Sequence, residues 1–141
     1  MQVRSAVQSD SAAIAELLVS LGYPGTELFM SKKIKQLLSH PDASLFVAVE
    51  GPDVLGFVSL HFIPQIALEG DFCRISYFCV AEAARNKGIG TMLEAEITFQ
   101  AQRRQCDRIE AHCHSRREAA HKFYYRQGYS ESPKYLMKSL K

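Results

Sequence analysis

Hydrophobic residues along the chain change several times from a strand-like alternation to a helical spacing, which predicts a fold of strands and helices. The first segment, MQVRSAV, alternates weakly and indicates a short strand. Helical spacing then predicts a first helix that Asp10 or Ser11 caps and Gly22 ends. A second helix is predicted after a Pro-Gly turn, with Thr26 as its cap.

The middle of the chain has the composition of a β-sheet. The segments SLFVAVE and VLGFVSLHFI are rich in β-branched and aromatic residues and are separated by GPD, which predicts an antiparallel hairpin. The segment CRISYFCVA is nearly apolar from Ile75 to Val80, as expected of a central strand that is covered on both faces. The more alternating segment DRIEAHCH predicts a later strand.

Two further helices are predicted on either side of that later strand. The first spans residues 88 to 105, and its apolar stripe consists of Ile89, Leu93, Ile97 and Ala101. The second spans residues 116 to 127 and ends at Gly128, and the closing YSESPKYLMKSL is expected to supply one or two edge strands. This order predicts a mixed α/β fold of the α+β type, in which helices flank a mostly antiparallel central sheet.

Composition narrows the class of protein. A chain of 141 residues with 47% hydrophobic content predicts a single domain over residues 1–141 with one core. The net charge of +2 argues against a dedicated nucleic-acid binder. No apolar run approaches the roughly 20 residues that span a bilayer, so we expect no membrane segment and a cytoplasmic location. The spacing of the four cysteines fits neither a zinc site nor a compact disulfide framework, which favours reduced thiols.

The segment VAEAARNKGIGTML places two basic residues and two glycines between the apolar strand and the next helix. A glycine turn before a helix leaves backbone N–H groups aimed at one point, where the helix dipole favours an anion such as a phosphate. A plain turn with solvated charges is the alternative. Leu93 stands where a dinucleotide-binding motif needs a third glycine, and the Gly-Lys-Ser/Thr ending of a P-loop is missing, so both nucleotide motifs are disfavoured.

Two segments together resemble a known family. RNKGIG is similar to the Arg/Gln-x-x-Gly-x-Gly/Ala signature of the GNAT superfamily of N-acetyltransferases. REAAHKFYYRQGY, residues 117–129, is similar to that family's second cofactor-side element, in which a helix leads to an aromatic-Tyr pair and then to Gly-Phe/Tyr. The resemblance covers about residues 44 to 140 and implies the GNAT fold, with acetyl-CoA as co-substrate.

The resemblance also assigns roles to positions of this chain. The backbone of Phe78, Cys79 and Val80 is expected to meet the pantetheine arm and the acetyl carbonyl. Arg117 stands where the family often has Asn, and Asn86 stands where it usually has Gly. The pyrophosphate is expected to lie within the backbone amides of Arg85, Asn86, Lys87, Gly88, Ile89, Gly90 and Thr91.

The reaction that the resemblance implies is direct attack of a primary amine on the acetyl thioester. Tyr124 falls on the tyrosine near the cofactor sulfur and is the expected general acid. No base is evident from the sequence. The candidates are His61, Glu69, Asp71, His112 and His114. We expect no metal site at the HCH segment and no acyl-carrying nucleophile at Cys79 or Cys113.

The acceptor is left open by the sequence. AHKFYYRQGYSESPKYLMKSL is similar to the C-terminus of aminoalkylphosphonate N-acetyltransferases, which act on small amines that carry an anionic group. Arg74 and Tyr77 replace acidic residues of that branch. A small primary amine is therefore the expected acceptor, with a protein or peptide N-acetyltransferase and a catalytically silent acyl-CoA-binding module as alternatives. A C-terminal edge strand makes a homodimer possible.

Overall fold

The computed structural model describes residues 1–112, 118–131 and 136–141, which fall into two compact units, Met1–Glu110 and Ala111–Lys141. Short 3₁₀ turns lie at Gln8–Asp10, Thr26–Leu28 and Glu82–Ala84. The helices and strands among the described residues are β1 (Gln2–Ser5), α1 (Ser11–Leu21), α2 (Met30–Ser39), β2 (Ala43–Glu50), β3 (Asp53–Ile63), β4 (Phe72–Val80), α3 (Ile89–Arg103), β5 (Arg108–Ala111) and α4 (Glu118–Arg126).

The strands form one sheet in the order β1-β2-β3-β4-β5, and the three pairings from β1 to β4 are antiparallel. The β2–β3 hairpin pairs Val47 with Phe57 and turns at the predicted GPD segment. The prediction of a mostly antiparallel sheet flanked by helices is confirmed. Each sheet face carries its own apolar residues, because successive side chains of a strand point to opposite faces.

One face of the sheet packs against α1 and α2. Side chains of both helices share a buried cluster with alternate residues of the strands, including Val47 and Phe57. The other face meets α3, because Gly56 lies against Leu93: a Cβ at position 56 would stand 3.2 Å from Leu93 Cδ1. Burial of apolar side chains on both faces is the main source of stability for such a layered fold. The apolar stripe of α3 is buried as predicted, at Ile89, Leu93, Ile97 and Ala101.

Two predicted helix caps have other roles. Asp10 precedes α1, but its carboxylate makes no cap hydrogen bond to that helix and instead binds Arg4 and the backbone N–H of Val7. The prediction that Thr26 caps the second helix is wrong, because α2 begins at Met30 and Thr26 lies in a separate 3₁₀ turn. Gly22 ends α1 as predicted, in the left-handed conformation at φ +105°.

The strand β4 is less covered than predicted. Cys73, Ile75 and Cys79 are buried, but the side chain of Tyr77 is 40% exposed and Ser76 is half-buried. The expectation of a central strand covered along both faces is therefore wrong over its middle residues. The exposure leaves polar groups of β4 open to one side of the sheet.

The second unit contains α4 and its C-terminal turn. The helix ends as predicted at Gly128, which adopts φ +93° while the N–H of Tyr129 donates to the carbonyl of Tyr124 at 3.0 Å. Residues 129–131 and 136–140, the described part of the closing segment, contain no strand, whereas one or two edge strands were expected there. None of the described helices is long and apolar enough to cross a membrane.

Candidate functional site

The turn before α3 has the backbone shape of an anion cradle. Asn86 and Gly88 both adopt left-handed conformations, at φ +66° and +80°, and Gly88 directly precedes the helix without contributing a side-chain cap. The first N–H groups of a helix have no partner within it, and the positive end of the helix dipole lies at the same place. A glycine turn directly before a helix is therefore present where the sequence predicts it, although the N–H of Arg85 donates to the carbonyl of Glu82 at 3.3 Å.

Two cations stand on this turn. Arg85 and Lys87 are exposed, and neither forms an ion pair with any residue that the structure describes. Unpaired cations beside a helix N-terminus add Coulombic attraction for a phosphate group. The turn can hold an anion with charges of its own, without a basic surface over the whole protein.

The strand that leads into this turn carries a bulge. Ser59 pairs with Tyr77 and Leu60 pairs with Ile75, so Ser76 is an extra residue in β4. A bulge bends its strand and changes the direction of its side chains, and bulges are common beside active sites. Phe78, Cys79 and Val80 follow the bulge, and the thiol of Cys79 is buried 3.4 Å from the carbonyl oxygen of Leu17 in α1.

A cleft of about 400 Å³ opens beside the bulge. It lies on the sheet face of α1 and α2, because Ala43, His61 and Arg74 pair across three strands on that face. The cleft therefore combines side chains from β3, β4 and the end of α2. Its lining includes His40, Asp42, His61, Phe62, Arg74 and Ser76.

His61 and Ser76 form a short hydrogen bond in this cleft. The distance from His61 Nδ1 to Ser76 Oγ is 2.6 Å. Burial of the imidazole lowers the pKa of His61 below its ordinary value, and electrostatic interactions with His40 and Arg74 lower it further. The lowered pKa favours the neutral ring, which is the state that can accept a proton.

Arg74 is held by a carboxylate on the neighbouring strand. Its Nη2 donates to Glu110 Oε1 at 2.9 Å, and Arg108 lies 2.9 Å from the other oxygen. Burial raises the pKa of Glu110, but the hydrogen bonds from the two arginines outweigh it, so the pKa is lowered overall. The Nε of Arg74 is buried and has no hydrogen-bond partner among the described residues.

The remaining candidates are spread over the chain. Tyr124 lies half-buried on α4 in the second unit, with its ring edge-on to Phe123 and Tyr129 at centroid distances of 5.5 and 5.1 Å. Glu69 and Asp71 do not line the cleft. Arg117, Cys113 and His114 lie outside the described residues, and His112 is exposed in the second unit.

Sequence reasoning missed two parts of this arrangement. It named His61 but not its partner Ser76, and it named Arg74 but not the Glu110 carboxylate that holds it. The one signal for the bulge was the Ser-Tyr interruption of the apolar segment ISYFCV. Among the described residues, no three His, Cys, Asp or Glu side chains are grouped as metal ligands.

Comparisons with known proteins agree with this geometry. The sequence profile of the acetyltransferase (GNAT) family matches residues 12–129. No curated protein sequence matches the chain. A transcriptional regulator from Bacillus halodurans C-125 has a similar structure, with a TM-score of 0.90, 22% identity and 99% of each chain covered.

Two enzyme-related structures are similar at lower identity. Glucosamine-6-phosphate N-acetyltransferase from Arabidopsis thaliana gives a TM-score of 0.86 at 18% identity, covering 99% of this chain and 98% of that one. AAC(6')-Iy, solved in complex with the bisubstrate analog CoA-S-monomethyl-acetylneamine, gives a TM-score of 0.85 at 12% identity. The match covers 99% of this chain and 97% of that one. At these identities the likeness is one of fold.

Proposed function

Because the chain belongs to the acetyltransferase (GNAT) family, we propose that it transfers the acetyl group of acetyl-CoA to the primary amine of a small molecule. The observation that carries the proposal is the left-handed turn at Asn86 and Gly88, directly before α3. Two cations flank it, and neither forms an ion pair with a residue in the described part of the chain. We take residues 1–141 as one catalytic domain, since the family match runs from the first compact unit into the second.

The turn fits the pyrophosphate of acetyl-CoA. We assign its binding to the backbone N–H groups of residues 86–91 and to the charges of Arg85 and Lys87. The backbone N–H of Arg85 was also expected to contact the pyrophosphate, but it donates to the carbonyl of Glu82 at 3.3 Å. The pantetheine arm and the thioester are assigned to the backbone of β4 after the bulge, at residues 78–80, where an N–H group polarises the acetyl carbonyl. Arg117 is kept as a further cofactor contact. A protein of the same fold was solved with a CoA-containing bisubstrate analog, which supports the choice of cofactor.

The leaving thiolate needs a proton, which we assign to Tyr124. A thiolate, whose thiol has a pKa near 8.5, is a weaker base than a phenolate, whose phenol has a pKa near 10. Proton transfer from Tyr124 to the thiolate is therefore uphill by about 2 kcal/mol before the site adjusts either pKa. A positioned general acid can supply that amount. The assignment to Tyr124 derives from its place in the REAAHKFYYRQGY segment.

The small acceptor is proposed from the sequence resemblance. The cleft beside the bulge has room for a small molecule, with a volume of about 400 Å³ and a few polar groups among apolar walls, but it is open to solvent and would also admit a longer chain. A similar fold belongs to an enzyme named for a phosphorylated amino sugar. The aminoalkylphosphonate class, the homodimer and the cytoplasmic location stay predictions of the sequence.

The test combines cofactor binding with thiol release. Calorimetry should show 1:1 binding of acetyl-CoA, and a screen of amino sugars, aminophosphonates, diamines and peptide N-termini should identify acceptors that release free thiol. Arg85→Ala with Lys87→Ala should weaken acetyl-CoA binding by about tenfold, as expected for the loss of two phosphate-facing charges. The double variant Lys32→Ala with Lys35→Ala removes the same charge from exposed positions of α2 and is the matched control.

Each outcome of the screen has a distinct meaning. Thiol release with peptides alone would replace the small-molecule acceptor by a protein or peptide. Acetyl-CoA binding without thiol release from any amine would leave a silent acyl-CoA-binding module. Failure to bind acetyl-CoA would contradict every one of these functions.

A further inference from the structure

The polar side chains of the cleft converge because of the strand register. His61 on β3 lies opposite Arg74 on β4, so both side chains share the face of α1 and α2. Ser76 stands two residues after Arg74 along β4, so the alternation of the strand directs its side chain to the same face. It is also the extra residue of the bulge, and its Oγ comes within 2.6 Å of His61 Nδ1.

This contact leaves one nitrogen of His61 available. Nδ1 is engaged by Ser76, whereas Nε2 has no hydrogen bond to any residue in the described part of the chain. If Nδ1 carries the proton and donates it to Ser76 Oγ, Nε2 presents a lone pair. Ser76 can thus fix both the ring orientation and the tautomer, as second partners of catalytic histidines do.

Several titratable and charged groups lie around the ring. His40 and Asp42, in the connection between α2 and β2, and Arg74 on β4 face the same cleft, and Glu110 of β5 is turned to Arg74. Burial, aided by His40 and Arg74, lowers the pKa of His61. The carboxylates are engaged elsewhere, Asp42 with Arg104 and Glu110 with two arginines, and do not pair with the imidazole.

From this arrangement we infer that His61 is the general base of the reaction, accepting a proton of the acceptor ammonium at Nε2, and that Ser76 is the residue that positions it. The inference rests on the acetyl transfer proposed above. It assigns the role that the sequence left open among five residues. The other described candidates, Glu69, Asp71 and His112, lie outside the cleft lining.

The proton balance is complete without a further reagent. The ammonium gives one proton to His61 Nε2 and becomes a neutral amine. Its lone pair forms the new carbon–nitrogen bond with the acetyl carbon, and the carbon–sulfur bond breaks with its electron pair on sulfur. The sulfur is protonated by Tyr124, the second proton from nitrogen restores that phenol, and His61 releases its proton to water.

The main test is a pH profile of wild type and His61→Gln, with the acceptor identified by the amine screen. Loss of a general base lowers kcat by about 10²-fold or more. Wild-type kcat should fall on the acid side as His61 becomes protonated, below the ordinary histidine pKa of about 6.5, and that limb should be missing in the variant. Acetyl-CoA affinity measured by calorimetry should be unchanged.

A second series tests positioning and does not depend on the folding of the first variant. Ser76→Ala should lower kcat by about tenfold with little change in KM, because it releases the ring without removing it. Ser76→Thr keeps a hydroxyl and should restore most of kcat. His112→Gln tests the described histidine outside the cleft, and a loss of the acid limb there instead would overturn the assignment of His61.

The outcomes separate this inference from the proposed function. Active wild type with an unchanged rate and pH profile in His61→Gln and Ser76→Ala would overturn the role of His61 alone. Wild type that binds acetyl-CoA but acetylates no amine would overturn the proposed function together with this inference. Thermal melting of each variant identifies losses that are due to unfolding.

Discussion

The guanidinium of Arg4 holds both carboxylate oxygens of Asp10, with Nη1 2.8 Å from Oδ2 and Nη2 3.0 Å from Oδ1. Oδ2 also accepts the backbone N–H of Val7 at 2.8 Å, and Asp10 is only 5% exposed. The pair joins β1 to the start of α1. The hydrogen bond from Arg4 lowers the pKa of Asp10, although burial acts in the opposite direction.

We predict that Asp10→Asn lowers the free energy of unfolding by about 2 kcal/mol at neutral pH, because it removes the charge of a nearly buried acceptor to which Arg4 and the N–H of Val7 donate. Because folding lowers the pKa of Asp10, the ionised carboxylate stabilises the folded protein above the unfolded pKa of about 3.9. This stabilisation is lost as the pH falls through the folded pKa. Urea unfolding from pH 7 to pH 3 should therefore show the two proteins converging in acid. Asp53→Asn, at an exposed position, is the matched control. A difference that is constant over this range would contradict the explanation.

The second prediction concerns the left-handed residue in the cofactor turn. Asn86 has φ +66°, and Asn tolerates this conformation better than residues with larger or branched side chains, although Gly adopts it most readily. Asn86→Ala should destabilise the protein by about 1 kcal/mol and weaken acetyl-CoA binding, whereas Asn86→Gly should keep both. The measurements are urea unfolding and calorimetry.

Gln105 is the matched position, because it also has a left-handed backbone, at φ +57°, and lies beyond the other end of α3. Gln105→Gly should raise stability by about 0.5 kcal/mol without changing acetyl-CoA affinity. Equal binding by Asn86→Ala and wild type would mean that the turn conformation does not matter for the cofactor.

The elements that could be predicted from the sequence are those with a local pattern. The turn, α3 and the β2–β3 hairpin were predictable, since glycines, apolar spacing and β-branched runs act over a few neighbouring residues. The start of α2 was not, because Thr26 has the side chain of a typical cap but is buried in a separate 3₁₀ turn before the helix.

The cleft was beyond prediction for a different reason. The Ser76 bulge exists only relative to the register of β3, and the Arg74–Glu110 pair joins residues on two strands that α3 separates in sequence. Neither relationship has a local pattern. The candidate His61 could be named from the sequence, but its orientation by Ser76 depends on strand pairing.

The third prediction is an order of cysteine reactivity. Burial raises the pKa of the Cys73 thiol to about 12, and Cys79 is also buried. Cys106 is half-buried, and burial raises its pKa as well. In a Cys113→Ser background, iodoacetamide at pH 8 should label Cys106 first, and Cys73 and Cys79 only after unfolding, because the thiolate is the reactive form. Mass spectrometry of tryptic peptides gives the order, and early labelling of Cys73 would contradict its burial.

The last prediction compares two neighbouring tyrosines of α4. Tyr124 is half-buried and is the proposed acid, whereas Tyr125 is 53% exposed. Tyr124→Phe should lower kcat by about 10²-fold and leave acetyl-CoA affinity unchanged, since only the protonation of the leaving sulfur is lost. Tyr125→Phe removes the same hydroxyl from the same helix and should retain wild-type kcat.

A change of leaving group separates acid catalysis from a general effect on the helix. An acetyl thioester of a more acidic thiol needs less protonation as it departs, so it should recover most of the rate that Tyr124→Phe loses. The recovery is measured as the ratio of kcat for the two thioesters in each variant. Two results would contradict the role of Tyr124 in proton transfer. One is a similar loss of kcat in Tyr124→Phe and Tyr125→Phe, and the other is a ratio of kcat for the two thioesters that is the same in Tyr124→Phe and wild type. In that event the thiolate would leave unprotonated or take its proton from water, and His61 would remain the one group in the scheme that handles a proton.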